Sequence, residues 1–204
     1  MLNYEWDYLP KNDNNINKNT IICGCDEAGR GPSAGPLFVA AVVLPYNYQN
    51  ELINDSKKLT EKKRELAYHQ IVKDALDFSI IKIEANEVDK LNPKQASRTG
   101  MQKAINQLKI KPHLVITDFE KLDINIKQIN LTKGDSISIN VAAASILAKV
   151  ERDKYMLELA KKYPHYDFEN NKGYYTKKHA EAVNKYGLCP EHRLSYKNIK
   201  PFIK

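Results

Sequence analysis

Two apolar runs joined by a short loop near the N-terminus constrain the fold more than any other feature of this chain. Residues 21–25 (IICGC) and 37–44 (LFVAAVVL) each have the length and apolar character of a buried strand. The loop between them, 26–36, contains three glycines and two prolines. Strands joined this tightly favour an antiparallel hairpin, so we expect the chain to begin a β-sheet with its first apolar residues.

The remainder of the chain alternates between strand and helix patterns. Thr60 suits the N-cap of a helix, Pro93 suits the first position of another, and apolar residues recur every three to four positions over 139–163. We predict helices after Thr60, over 85–91, from Pro93, over 139–163 and around 178–186, and further strands over 78–84, 114–117 and 126–131. The expected fold class is α/β, with a mixed sheet flanked by helices.

Composition divides the chain into three parts. Residues 1–19 are polar and rich in Asn and Lys, so we expect a flexible leader there. Residues 20–163 carry the alternating strand and helix patterns and are expected to form the core. Residues 164–204 are expected to form a basic, Tyr-rich helical extension at the C-terminal end.

The excess of positive charge favours an anionic partner. The net charge is +7, and residues 149–204 hold 13 of the 32 basic residues against 7 of the 25 acidic ones. The same segment contains 7 of the 12 tyrosines, and cations interleaved with aromatic rings suit contact with phosphates and stacking on bases. The alternative is an ordinary solvated basic face in a Lys-rich chain, so charge alone leaves nucleic-acid binding open.

The sequence also predicts a cytoplasmic protein without a membrane segment. Its longest apolar stretches are far shorter than the roughly 20 residues that span a bilayer, and the acidic, aromatic start lacks the features of a signal peptide. Three cysteines are an odd number, which suits a reducing compartment. Cys23 and Cys25 alternate on a predicted strand, so we interpret them as buried thiols and not as metal ligands.

Acidic residues stand at the ends of two predicted strands. Asp26 and Glu27 follow the first strand, and Asp118 ends the strand 114–117. Open α/β sheets place their functional sites at the carboxyl ends of strands, and converging carboxylates without His or Cys suit Mg²⁺ or Mn²⁺. Such a site fits two-metal phosphoryl chemistry. From spacing alone, the same acids could equally cap a loop and end a strand.

The loop beside these acids contains Gly29, Arg30 and Gly31. Closely spaced glycines let a backbone approach a ligand and direct several N–H groups towards it, and an arginine between them adds a planar donor for phosphate. By itself this loop is weak evidence, because a tight turn between two strands can have the same composition.

Taken together, these motifs resemble the ribonuclease HII family. The first block, residues 24–32 (GCDEAGRGP), is similar to the opening signature of that family. The further blocks that resemble the family, in chain order, are 35–36, 40–43, 54–59, 133–136, 142–150, 152–153, 172–179 and 192–195. The resemblance covers about residues 20–200, and several blocks in the same order make it specific.

The resemblance implies a ribonuclease H-like fold with a C-terminal helical extension. It also implies an endonuclease that cuts the RNA strand of RNA–DNA hybrids and incises duplex DNA at single ribonucleotides, leaving 5′-phosphate and 3′-hydroxyl ends. Asp26, Glu27, Asp118 and Asp135 would be the catalytic and metal-binding acids, holding two Mg²⁺ or Mn²⁺ ions during catalysis. Gly29, Arg30, Gly31 and Tyr174 would contact the sugar at the RNA–DNA junction, and the enzyme is expected to be a monomer.

The chain departs from the family pattern at a few positions. Phe119 stands after the third acid where the family usually has glycine, and Tyr175 stands where proline is frequent. Glu120 and Asp123 lie near the third acid and are interpreted as solvated loop charges. The three histidines of the tail, His165, His179 and His192, are expected to face phosphates or to be structural.

Two other functions remain as alternatives at this point. A non-catalytic nucleic-acid-binding module could keep the same fold and basic tail, although it would be expected to lack one of the site acids. A related nuclease acting on DNA is the second alternative, and the glycine-arginine loop argues against it.

Overall fold

The computed structural model of the chain describes residues 2 and 4–203, and a mixed β-sheet lies at its centre. The strands are β1 (Ile22–Ala28), β2 (Leu37–Val43), β3 (Asp77–Ile83), β4 (Leu114–Asp118) and β5 (Lys127–Leu131). Within the described residues these five strands are arranged in the order β3–β2–β1–β4–β5. β2 pairs antiparallel with both β1 and β3, and its pairing with β1 confirms the predicted hairpin. By contrast, β4 runs parallel to β1, and β5 runs parallel to β4.

The five helices predicted from the sequence are present, and the described structure adds two short ones, Leu9–Asn12 and Phe168–Asn171. In chain order the helices are α1 (Leu9–Asn12), α2 (Glu61–Asp74), α3 (Ala85–Leu91), α4 (Pro93–Gln107), α5 (Ile139–Lys162), α6 (Phe168–Asn171) and α7 (Lys177–Tyr186). The Thr60 hydroxyl accepts a hydrogen bond from Lys63 N at 3.3 Å and so caps α2. Ser138 caps α5 in the same way by accepting from Val141 N at 3.1 Å. Side-chain caps of this kind satisfy donors that have no partner inside the helix.

The sheet lies between two layers of helices. On one face, α3 and α4 pack against β1 and β2 through residues such as Cys25, Val39 and Met101. On the other face, α2 and α5 cover the sheet, and Ala40 of β2 shares a buried cluster with Ile71 of α2. The α/β fold class, with a mixed sheet flanked by helices, is therefore confirmed.

Helix α5 approaches β1 so closely that the strand needs a glycine. A Cβ atom at Gly24 would lie 2.2 Å from the backbone carbonyl carbon of Asn140. The Asn140 side chain also accepts a hydrogen bond from Leu44 N, just after β2, at 2.9 Å. These contacts hold the start of α5 beneath the strand that delivers Asp26 and Glu27.

The N-terminal segment is packed over residues 4–16, which differs from the flexible leader that its polar composition predicts. Trp6, Leu9 and Ile16 share a buried cluster with residues of β1, β4 and α5. The carboxylate of Glu5 is fully buried and accepts hydrogen bonds from the Ser138 hydroxyl and from Asn140 N. A carboxylate at a helix N-terminus is stabilised by the unpaired N–H groups there.

The C-terminal residues form helical pieces that pack on α5. Phe168 and Val183 share a buried cluster with Met156 and Leu159, which lie in the second half of α5. The same segment contacts the glycine-rich loop, because Ser33 N donates to the carbonyl of Gly173 at 2.9 Å.

The division into leader, core and extension stays a prediction. Among the described helices, none combines the length and the apolar character needed to cross a bilayer.

Candidate active site

Three aspartates from separate parts of the sequence converge at one edge of the sheet. Asp26 lies near the end of β1 and Asp118 ends β4, so the parallel pairing of these strands brings the two residues together. Asp135 lies in a single 3-10 turn, Gly134–Ser136, just before α5. One carboxylate oxygen of each aspartate lies within 4.8 Å of the others.

The turn that carries Asp135 is tied to Asp118. The backbone N–H of Gly134 donates to Asp118 Oδ1 at 2.8 Å, and Lys133 before it has a left-handed φ of 60°. On the other side, Lys57 Nζ lies 3.0 Å from Asp135 Oδ2 in an ion pair. The local backbone therefore fixes the separation between the two carboxylates.

Burial and mutual repulsion raise the pKa of Asp26 and of Asp118. The pKa of Asp26 is well above its usual range, chiefly because the group is buried and then because Glu27 and Asp118 are close. Burial is also the main reason that the pKa of Asp118 is raised. Clustered carboxylates with such shifts suit a divalent cation, whose charge compensates theirs, and an all-oxygen donor set fits a hard ion.

Glu27 belongs to the same edge but points to other partners. It is not one of the three carboxylates that converge in the described structure. Ser97 of α4 donates to Glu27 Oε2 at 2.8 Å, and Arg30 Nη1 donates to Glu27 Oε1 at 3.2 Å. Both carboxylate oxygens are therefore engaged by protein groups, and no sequence pattern indicated the contact with Ser97.

Two buried arginines hold the backbone of the glycine-rich loop. Arg152 of α5 donates to the carbonyl oxygens of Ala34 and Pro36 at 3.3 and 3.1 Å. Arg193, from the C-terminal segment, donates to the carbonyl oxygen of Gly35 at 2.9 Å and to that of Arg30 at 3.3 Å. Burial lowers the pKa of Arg152 to about 10, and the nearby Arg193 adds to this effect. The loop is thus shaped by residues more than 100 positions away in the chain.

Tyr174 lies over the glycine loop with its ring about half exposed. A Cβ atom added at Gly31 would lie 3.4 Å from Tyr174 Cε1, so the ring faces this glycine. The carbonyl oxygen of Tyr174 is held by the Nδ1 of His179 at 2.9 Å and by the backbone N–H of Thr176. The loop and the ring together form one wall of a cleft beside the aspartates.

The cleft brings together most of the residues predicted from sequence, with additional basic groups. Its lining residues are Asp26, Glu27, Ala28, Gly29, Arg30, Gly31, Ser56, Lys57, Arg64, Asp118, Ser145, Lys149, Arg152 and Tyr174. Lys57 and Lys149, which line this cleft, can attract phosphate groups. Lys57 and Lys149 lie within blocks that resemble the family, but their proximity to the acids could not be read from spacing.

The tail histidines His179 and His192 are buried and face each other. Their Nε2 atoms lie 3.0 Å apart, and the Nδ1 of His192 accepts a hydrogen bond from Cys189 N at 2.9 Å. This confirms the structural interpretation for the pair and excludes a phosphate-facing role for it. Cys23 and Cys25 are likewise buried, as predicted for strand thiols.

The interpretation of Glu120 as a solvated loop charge is wrong. Its side chain has no solvent exposure, and two arginines, Arg30 and Arg98, lie within ion-pair distance. A carboxylate this deeply buried needs such partners to stay charged. The sequence lacked a local signal for this burial, because Glu120 lies in a polar loop.

Comparison with known proteins places this arrangement in a family. The family model for ribonuclease HII matches residues 23–199. The chain belongs to the ribonuclease HII family. Ribonuclease HII of Mycoplasma mycoides is 50% identical over 91% of this chain and 90% of its own length. That of Caldicellulosiruptor bescii is 47% identical over 88% of both chains.

Solved structures of this enzyme type have the same fold. Ribonuclease H2 from Pyrococcus horikoshii superposes with a TM-score of 0.78 at 26% identity, over 90% of this chain and 97% of that one. Ribonuclease HII from Archaeoglobus fulgidus, solved in a complex with PCNA, gives 0.73 at 25% identity, over 87% and 95% of the two chains. Membership of the ribonuclease HII family makes this chain a hydrolytic nuclease of the ribonuclease H type, an enzyme that depends on a divalent metal.

Proposed function

We propose that this enzyme cuts the RNA strand of RNA–DNA hybrids and incises duplex DNA at single ribonucleotides, leaving 5′-phosphate and 3′-hydroxyl ends. The observation that carries the proposal is the position of three converging aspartates beside the cleft formed by Gly29, Gly31 and Tyr174. Acids for hydrolysis and a backbone loop suited to reading a sugar thus share one surface.

Asp26, Asp118 and Asp135, with Glu27 beside them, would hold Mg²⁺ or Mn²⁺. The ion, when bound, supplies a water molecule of lowered pKa and stabilises charge on the phosphate. The aspartates orient the site, because Asp118 is fixed by Gly134 N and Asp135 by Lys57. No side-chain nucleophile is required, and Lys57 and Lys149 in the cleft can bind the phosphates that flank the scissile bond.

The glycine loop and Tyr174 would select ribose. A 2′-hydroxyl both donates and accepts hydrogen bonds, so a backbone that approaches it closely can distinguish ribose from deoxyribose. The support for this role is that the Tyr174 ring faces Gly31 and is about half exposed beside the loop. The ring would leave no room for a second 2′-hydroxyl and would thereby locate the junction.

The decisive experiment is cleavage of a DNA duplex that contains one ribonucleotide, with Mg²⁺ or Mn²⁺ and again with chelator. We expect incision on the 5′ side of the ribonucleotide with either ion and none with chelator. Binding without cleavage under all conditions would instead favour the non-catalytic nucleic-acid-binding module. Cleavage of an all-DNA duplex at a similar rate would favour a DNA nuclease.

The variant Tyr174→Ala tests whether Tyr174 recognises the RNA–DNA junction separately from the hydrolysis step. We expect this variant to lose roughly tenfold in cleavage at a lone ribonucleotide, and less on a continuous hybrid, because loss of one base- or sugar-facing aromatic costs about 1–3 kcal/mol. Both rates are measured at one salt concentration. Equal losses on the two substrates would make Tyr174 a packing residue only, and Tyr186→Ala, an exposed tyrosine on α7, is the control.

We further infer that the enzyme acts as a monomer in the cytoplasm. One chain supplies the three converging aspartates and the residues of the adjoining cleft, so the proposed site needs no residue from a second copy. Light scattering after size-exclusion chromatography tests the oligomeric state, and a stable dimer at micromolar concentration would contradict the inference.

A further inference from the structure

Glu120 is a fully buried carboxylate placed between two arginines. Arg98 Nε of α4 lies 2.8 Å from Glu120 Oε2, and Arg30 Nη1 of the glycine loop lies 3.1 Å from Glu120 Oε1. Both arginine side chains are only about one third exposed, so the network is shielded from water. Interactions between charges are stronger in such surroundings than at an open surface.

A tight turn after β4 directs Glu120 inwards. Glu120 N donates to the carbonyl oxygen of Asp118 at 2.8 Å, which closes a three-residue turn with Phe119 at its centre. The carbonyl of Glu120 is then held by the Thr117 hydroxyl at 2.6 Å and by Asn130 Nδ2 at 2.7 Å. The backbone on both sides is therefore fixed, and the side chain points towards α4 and the glycine loop.

One nitrogen of Arg30 is shared between two carboxylates. Arg30 Nη1 lies 3.2 Å from Glu27 Oε1 and 3.1 Å from Glu120 Oε1. If Glu27 turns an oxygen towards a divalent cation, it must give up its contact with Arg30. Arg30 would then retain Glu120 as its partner, because Glu120 Oε1 lies within ion-pair distance of Arg30 whether or not Glu27 stays in place.

We propose that Glu120 is a positioning residue which holds Arg30 in the glycine loop while Glu27 exchanges the arginine for a divalent cation. This inference rests on the proposed metal-binding role of Glu27. The four groups Glu27, Arg30, Arg98 and Glu120 balance in charge before the exchange. After it, Arg30, Arg98 and Glu120 remain as a connected set, and the arginine neither leaves the cleft nor repels the arriving ion at close range.

The first test is the affinity of the substrate-free protein for Mn²⁺, measured by electron paramagnetic resonance. Glu120→Gln leaves Glu27 as the only carboxylate for Arg30, so we expect Mn²⁺ binding to weaken about fivefold. Asp123→Asn is the matched control, because it removes one negative charge from an exposed position in the same loop. We expect it to change the affinity by less than about twofold.

The second test uses a variant that should strengthen Mn²⁺ binding instead of weakening it. Arg98→Gln leaves Glu120 to pair with Arg30 alone, so Arg30 is drawn away from Glu27 and Mn²⁺ should bind about threefold more tightly. Lys103→Gln removes a positive charge from an exposed position on the same helix and controls for the general electrostatic effect. If Glu120→Gln does not fold, Arg98→Gln still tests whether Glu120 positions Arg30.

The third test asks whether Glu120 acts through Arg30. In an Arg30→Ala background, neither Glu120→Gln nor Arg98→Gln should change Mn²⁺ affinity, since the shared partner is gone. Effects that persist unchanged in that background, or Arg98→Gln tightening no more than Lys103→Gln, would overturn the proposal. A purely structural role would weaken binding in both variants and in both backgrounds.

Failure of the proposed metal site itself is recognised separately. Asp26→Asn removes one of the three converging carboxylates and should abolish specific Mn²⁺ binding whatever Glu120 does. If Asp26→Asn binds Mn²⁺ like the unmodified protein, the metal site has been misplaced. If Asp26→Asn loses the ion but the Glu120 and Arg98 variants bind it normally, only the positioning role is wrong.

Discussion

Phe119 has a backbone conformation that glycine adopts more readily. Its φ is 66°, and its ring is 64% exposed, so little packing compensates for the strain. The family resemblance places glycine at this position, and the left-handed φ gives the physical reason. The strain is retained at the turn that follows Asp118 and directs Glu120 inwards.

We expect Phe119→Gly to raise the free energy of unfolding. The gain should be roughly 0.5–1 kcal/mol, because relief of the left-handed strain exceeds the added flexibility of glycine in the unfolded chain. Urea denaturation measures it. Asn47→Gly is the control, since Asn47 has a similar φ of 55° but asparagine tolerates it better, and its gain should be smaller. A loss of stability in Phe119→Gly would mean that the ring packs more than its exposure indicates.

Burial of the Asp26 carboxylate destabilises the metal-free protein. Because its pKa is raised, the folded chain binds a proton more tightly than the unfolded chain does, and metal-free stability falls as pH rises above about 3.8 towards the folded pKa. Asp26→Asn should therefore be more stable than the unmodified protein in chelator, and the gain should be larger at about pH 8 than at about pH 5.

The same variant should lose activity. We expect cleavage to fall by more than about 100-fold, because loss of a residue that only supports a metal ligand already costs about 10–100-fold. Denaturation in chelator and cleavage in Mg²⁺ and Mn²⁺ are measured on the same preparation. Activity near that of the unmodified protein with either ion would contradict the assignment of Asp26.

At the scale of elements, the packing of the C-terminal segment requires a histidine pair that is uncharged. His179 on α7 and His192 in the segment after it pack against Tyr166 and Phe168. Burial lowers the pKa of His192 to about 4, with a further contribution from His179, whose own pKa is also lowered by burial. One proton is shared between two facing nitrogens 3.0 Å apart, so a second proton there has no acceptor.

We expect the protein to lose stability as pH falls from about 6.5 to about 4, because the unfolded chain protonates His192 first. The loss from this residue is on the order of 2–3 kcal/mol. His192→Gln should flatten this part of the pH profile in urea denaturation. His69→Gln, at an exposed position on α2, should leave the profile unchanged. A profile equally steep in His192→Gln would place the acid sensitivity elsewhere.

At the scale of the whole molecule, the C-terminal segment is part of the cleft. Arg193 and Gly173 bind the backbone of the glycine loop, so truncation after Lys162 would disturb that loop as well as remove charge. The basic surface is better tested by substitutions at exposed positions. Lys177 and Lys178 begin α7, two and three residues after Tyr175, and both are exposed.

We expect the double variant Lys177→Gln, Lys178→Gln to weaken binding to duplexes of any sequence. The slope of log affinity against log salt should fall by about 0.9 for each phosphate contact that is lost. Lys109→Gln is the control, because Lys109 N donates a hydrogen bond to Asp77 at the start of β3, which lies at the end of the sheet away from Asp26 and Asp118. An unchanged slope in the double variant would move the nucleic-acid surface to another face.

The sequence by itself determined the elements and the order of the site acids. Caps and periodic apolar residues are local, so the starts of α2 and α4 and the hairpin of β1 and β2 could be predicted within a few residues. Asp26 and Asp118 could be paired because parallel strands end at one edge of a sheet. Asp135 came from the family resemblance, since no local pattern links its turn to β4.

Only the tertiary structure decided which charges are buried. Glu5 and Glu120 lie in segments whose composition indicates solvent exposure, yet distant groups enclose them: the start of α5 around Glu5, and Arg30 and Arg98 around Glu120. The support of the glycine loop by Arg193 has the same origin. Burial depends on how separate elements pack, and a buried charge persists only where that packing brings partners to it, which no local pattern of residues specifies.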